Sequence, residues 1–74
     1  MKMDLETLAR IVEERVPTTR TVCVPEANQI IVSFTNRPDV EVALLTPYYQ
    51  GVIKRNQLSG QDISELVSSV EALI

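Results

Sequence analysis

The stretch Gln29 to Thr35 constrains this chain more than any other. Ile30, Val32 and Phe34 alternate there with Ile31, Ser33 and Thr35. A period of two sends successive side chains to opposite faces of a strand. Turn-forming residues bracket the stretch, Pro25-Glu26-Ala27-Asn28 before it and Asn36-Arg37-Pro38-Asp39 after it. Beyond these turns lie Arg20 to Val24 and Val40 to Leu45, the second with Val40, Val42 and Leu44 alternating against Glu41, Ala43 and Leu45. Connections this short cannot carry a crossover, so the three runs predict an antiparallel meander.

Register follows from which pairings keep charge out of the core. A slip of one residue moves every side chain of a strand to the other face. Phe34 opposite Glu41 would bury a carboxylate. Loops of three or five residues avoid this and set Phe34 opposite Val40 or Val42. The same parity in the first hairpin sets Val22 and Val24 beside Ile30 and Val32. The expected core face is therefore Val22, Val24, Ile30, Val32, Phe34, Val40, Val42 and Leu44. The opposite face would carry Thr21, Cys23, Ile31, Ser33, Thr35, Glu41, Ala43 and Leu45.

Helices are expected on either side of the meander. Leu5, Leu8, Ala9, Val12 and Val16 share one face at helical spacing, with Ile11 widening the stripe. Asp4 is placed to cap this helix, Met3 to staple onto Leu8, and Pro17 to end it. At the other end, Ser59 with Asp62 three residues on has the form of a capping box. Ile63, Leu66, Val67, Val70, Leu73 and Ile74 form one stripe behind it, which predicts a docked C-terminus. Residues 46–57 are read as a short helix, with Thr46 as cap and Pro47 in the first turn. Gly51 in its middle costs about 1 kcal/mol. An irregular loop, or a short fourth strand through Gln50 to Ile53, is the alternative. The fold class is thus α+β and two-layered: an N-terminal helix, a three-stranded antiparallel meander, a short helix or loop, and a C-terminal helix.

With 74 residues, one compact domain over 1–74 is expected. A chain of this size buries only about 60% of the surface its unfolded form exposes, so added burial from a second subunit is worth a great deal to it. The single cysteine, Cys23, allows no internal disulfide, and the absence of histidine removes zinc sites of the Cys/His type. A lone thiol fits a reducing compartment. Charges at Lys2, Asp4 and Glu6 break the apolar run that a signal peptide needs. No apolar run reaches the ~20 residues of a membrane span. The chain is therefore expected to be cytoplasmic, with no membrane partner.

The pattern of residues argues against catalysis. Cys23 has no histidine to activate it, and no serine sits in a nucleophile elbow. Glu13 and Glu14 are adjacent, so on a helix they point about 100° apart. Gly51 and Gly60 are too few and too separate for a phosphate loop, and no calcium-loop pattern occurs. No cofactor and no enzyme activity are expected.

Two surfaces remain as candidates for contact. Tyr48 and Tyr49, followed by Lys54 and Arg55, combine rigid aromatic surface with a planar donor fork, residue types enriched at binding hot spots. The expected non-core sheet face is the other, because Cys23, Ile31, Ala43 and Leu45 make it unusually apolar. The functional expectation is a small non-enzymatic interaction module, such as an adaptor, an inhibitor or a regulatory subunit, with another protein as its partner. The alternatives are a structural homodimer through the open sheet face, and a weak RNA- or DNA-binding domain using Arg37, Lys54 and Arg55.

Charge counts against nucleic acid. The net charge is −3, with −1 on residues 1–19, +1 on residues 20–55 and −3 on residues 56–74, whereas non-specific nucleic-acid binding needs a basic face. The helix–three strands–helix order resembles the double-stranded-RNA-binding domain in topology alone. That resemblance implies lysines at the start of the last helix, reaching phosphates. Here that helix begins Ser59-Gly60-Gln61-Asp62 and carries Glu65 and Glu71.

Overall fold

A computed structural model of the chain describes residues 4–74. Helix α1 spans Leu5–Arg15, strand β1 Thr19–Val24, β2 Gln29–Phe34, β3 Arg37–Ala43, helix α2 Pro47–Lys54 and α3 Gly60–Glu71. The class and the element order are those expected from the sequence, and the short helix prevails over the loop and the fourth strand for α2. The Met3–Leu8 staple lies outside the described residues.

Each helix begins for a local reason. Asp4 Oδ1 accepts from the Thr7 amide at 2.8 Å, satisfying one of the amides that a helix start leaves unpaired. Ser59 and Asp62 form the reciprocal capping box, with Asp62 N donating to Ser59 Oγ at 3.1 Å and Ser59 N donating to Asp62 Oδ2 at 3.0 Å. Pro47 opens α2, where a missing N–H costs nothing. Pro17 follows the end of α1 at Val16.

The sheet order is β1-β2-β3, antiparallel throughout. Ile30, Val32 and Phe34 of the central strand are buried together with Leu8, Ala9 and Val12 of α1 and Leu66, Val67 and Val70 of α3. Both long helices therefore pack on the same side of the sheet, and the domain has two layers. In β3 the face assignment holds, with Val42 opposite Val32, and Val40 and Val42 packed against the core. The strand starts earlier than expected, at Arg37, and the register shifts beside Phe34, which pairs with Arg37 across a tight Thr35–Asn36 turn. Pro38 is tolerated because β3 is an edge strand.

Strand β1 faces the other way from its expected orientation. Its partners are Thr19↔Phe34, Thr21↔Val32, Cys23↔Ile30 and Val24↔Gln29. The connection is thus the four residues Pro25 to Asn28, an even number, and this flips the strand. Pro25–Ala27 form a 3-10 turn and Asn28 adopts the left-handed conformation, φ 50 and ψ 49, which asparagine tolerates better than most residues. Thr19, Thr21 and Cys23 consequently face the helices. Val22 is 61% exposed on the other side, and Val24 shares that side half-buried. Two further expectations fail at chain turns. Leu45 is buried, 3% exposed, instead of lying on the open face: the strand stops at Ala43, and the Gln29 side-chain amide grips both the N–H and the C=O of Leu45. Leu73 and Ile74 are exposed, 40% and 54%. Helix α3 stops at Glu71, and i→i+3 bonds from Leu73 and Ile74 tighten the last turn, taking both side chains off the stripe.

Candidate functional site

The uncovered face of the sheet is built from side chains of one parity. Pairing aligns Arg20, Ser33 and Glu41 in one row across the three strands, and Val22, Ile31 and Ala43 in the next. Arg20, Val22, Glu41 and Ala43 are exposed, and Val24, Ile31 and Ser33 are half-buried. No described element lies across these two rows. Ile31 and Ala43 therefore stand on the open face as the alternation requires. Cys23 and Leu45 do not, and Val22 and Val24 take their place. The result is a small apolar centre with a cation on one rim and a carboxylate on the other.

Flipping β1 also explains its inner face, where two threonines stand among apolar side chains. Thr19 is fully buried, and its hydroxyl donates to the Val16 carbonyl at 2.7 Å. Thr21 donates from both its amide, at 2.9 Å, and its hydroxyl to Glu13 Oε2. Residues 20, 22 and 24 of β1 make the ladder bonds to β2, so the Thr21 amide points to the free edge of the sheet. A carboxylate from α1 thus occupies part of an edge that would otherwise invite another strand. The two hydrogen bonds hold the Glu13 carboxyl below its ordinary value, with a smaller contribution from the nearby Arg20 charge. Sequence reasoning set Glu13 and Glu14 aside because adjacent helix positions diverge, and nothing in the local pattern marks Glu13 as the one that turns inward.

Cys23 sits half-buried beside a groove of about 370 Å³ lined by Asp4, Leu5, Glu6 and Pro25. Burial pushes its thiol up, and the carboxylates of Glu6, Asp4 and Glu13 push it further. It stays protonated at neutral pH, the opposite of an activated nucleophile.

The aromatic and basic cluster on α2 is only partly assembled. Tyr49 turns inward against the core, and its hydroxyl donates to Glu65 Oε2 at 3.0 Å. Burial, then the Glu65 carboxylate, raises the Tyr49 hydroxyl above its ordinary value. Tyr48 is 60% exposed, with its ring edge-on to Tyr49 at 5.1 Å. Arg55 lies seven residues beyond Tyr48, on the same helical face. Its guanidinium covers Gly51, 3.1 Å from where a Cβ would stand, and its Nε donates to Gln57 Oε1. Tyr48 and Arg55 share a surface; Tyr49 does not join them, and exposed Lys54 points elsewhere around the helix. Arg37, the third cation of the basic set, is not brought to this site. Its Nη1 donates to the Leu73 carbonyl at 3.1 Å. It stands at the β2–β3 turn, whereas α2 is tied to the opposite end of the sheet by Gln50, which donates to the Ala27 and Asn28 carbonyls.

Among the described residues, no three His, Cys, Asp or Glu side chains gather where a metal ion could be held. No described helix is long and apolar enough to cross a membrane. Comparison with protein-family models, with curated proteins and with solved structures gives no match.

Proposed function

We propose that the chain acts as a small non-enzymatic protein-interaction module that binds through the open face of its sheet. The observation that carries this reading is Val22, 61% exposed on a strand whose neighbours on that face are Val24, Ile31 and Ala43. Apolar surface gathered on one rigid face and flanked by polar side chains is the common form of a protein contact site. The exposed Tyr48–Arg55 face of α2 would supply a second contact. With one half-buried thiol and no disulfide, the module suits a reducing compartment such as the cytoplasm.

The test is site-specific photo-cross-linking in the native host, with the reactive group at position 22 or, as a control, at exposed Gln61 on α3. The reading requires a protein adduct from position 22 that position 61 does not give. If position 22 gives no adduct with any protein, the reading is lost.

A further inference from the structure

The open face has a charge pattern that is complementary to itself. Arg20 on β1 and Glu41 on β3 occupy one row, separated by Ser33 on β2. Strands lie about 4.8 Å apart, so the two charged residues are anchored roughly 10 Å from each other at opposite rims. Between them and beside them run the small and apolar side chains of Val22, Ile31, Ser33 and Ala43.

We infer that the occupant of this face is a second copy of the same chain, stacked face to face about a two-fold axis parallel to the strands. The inference rests on the reading above and names its partner. Rotation about that axis places β1 of one copy over β3 of the other and keeps every row in its own plane. Arg20 then faces the partner's Glu41, and Glu41 faces the partner's Arg20. Ile31 and Ser33 meet their own counterparts in the centre, and Val22 meets the partner's Ala43. This is an isologous contact, in which one patch closes on itself. Stacked sheets are separated by about 10 Å, a gap that an arginine and a glutamate side chain reaching toward one another can bridge. The other in-plane axis, perpendicular to the strands, lays Arg20 over the partner's β1 and forms neither charge pair.

The face also sets the strength of the contact. Three strands of about six residues present roughly 300 Å² per copy, against about 800 Å² per partner in a standard stable interface. The dimer is therefore a weak one, populated at hundreds of micromolar and reduced by salt.

Sedimentation equilibrium across a concentration series up to about 1 mM tests this, with circular dichroism confirming that each variant is folded. Wild type is expected to self-associate. Arg20→Glu and Glu41→Arg should each weaken association roughly tenfold. The double reversal should return it to within about threefold of wild type, because both pairs are restored with opposite sign. Arg20→Glu takes the net charge from −3 to −5, and Glu41→Arg takes it to −1. General repulsion would therefore make Glu41→Arg associate better, and a loss in that variant isolates the specific pair. A monomeric mass throughout overturns the inference, and so does a dimer indifferent to all three variants. An adduct from position 22 with a different protein, beside a monomeric mass, leaves the interaction module standing and removes only the self-pairing.

Discussion

Glu13 joins a helix to the edge of a sheet through one carboxylate oxygen, and that makes it a pH-dependent tie. Both bonds from Thr21 favour the ionised form. The folded chain therefore binds a proton there less readily than the unfolded chain, whose value is near the ordinary 4.5. The stabilisation is complete above that value and is lost as pH falls through the lower folded value. Glu13→Gln keeps the shape and removes the charge. The difference in urea midpoint between wild type and Glu13→Gln should be largest at neutral pH and should shrink toward pH values below the folded carboxyl. Asp4 is also held low, by the Thr7 amide and hydroxyl, but it is common to both proteins and cancels in the comparison. A difference that stays constant with pH would mean that the Thr21 bonds do not depend on the charge. Thr21 was legible as a strand residue, but its partner was not. The link spans eight residues, and no periodicity encodes which of two adjacent glutamates turns toward the sheet.

At the scale of elements, the sequence was most informative where burial and pattern agree. The two long helices and β2 could be read from apolar spacing and capping residues, because these elements bury one complete stripe. Strand β1 misled because its valines, Val22 and Val24, stand on the outer face while Thr19, Thr21 and Cys23 stand on the inner one. An inner threonine is stable only when its hydroxyl has a partner, and the partners here, Val16 O and Glu13, come from the helix end and helix face that precede the strand. The face was decided by the four-residue connection Pro25 to Asn28, whose length the hydrophobic pattern does not report. The same error assigned Cys23 to the open face, whereas Leu45 was misplaced because β3 stops at Ala43 and the chain turns there. Isosteric substitutions separate the two orientations. Val22→Thr should change stability by no more than about 0.5 kcal/mol, as an exposed position does. Val32→Thr, on the fully buried face, should cost about 1–3 kcal/mol by burying a hydroxyl with no partner. Equal costs would restore the orientation with Val22 inside. In α2, Gly51 carries no positive φ, and the atom nearest a new Cβ is the end of the flexible Arg55 side chain. Gly51→Ala should therefore raise stability by about 0.5–1 kcal/mol through helix propensity. It should also swing Arg55 away from the face that it shares with Tyr48. Thermal melts at matched dilute concentration would check the first effect.

Over the whole molecule, a single aromatic side chain anchors a thin core. Phe34 is 2% exposed at the end of the central strand, in one cluster with Leu8 and Val12 of α1 and Leu66 and Val70 of α3. Both helices thus depend on the same small set of strand residues, and among the described residues no second core supports either of them. At roughly 0.05–0.15 kcal/mol per residue, a domain of this length has a total stability of about 4–11 kcal/mol. Phe→Ala at a buried site costs about 3–5 kcal/mol. Phe34→Ala should therefore consume about a quarter or more of the total and, toward the lower end of that range, leave much of the chain unfolded at room temperature. Loss should be cooperative, with helical ellipticity and tyrosine fluorescence changing together in urea, because Tyr49 packs on the same cluster. Separate transitions for the two signals would place α2 and α3 in a unit that holds without the sheet. Phe34→Leu, which keeps most of the volume, should retain the cooperative transition at a lower midpoint. The same thinness gives self-pairing its thermodynamic weight: if the dimer forms, the melting temperature of wild type should rise with protein concentration, because binding to the folded state alone draws the equilibrium toward it. Glu41→Arg, which weakens the pairing without touching the core, should reduce that dependence and shift it to higher concentration while leaving the dilute melting temperature unchanged.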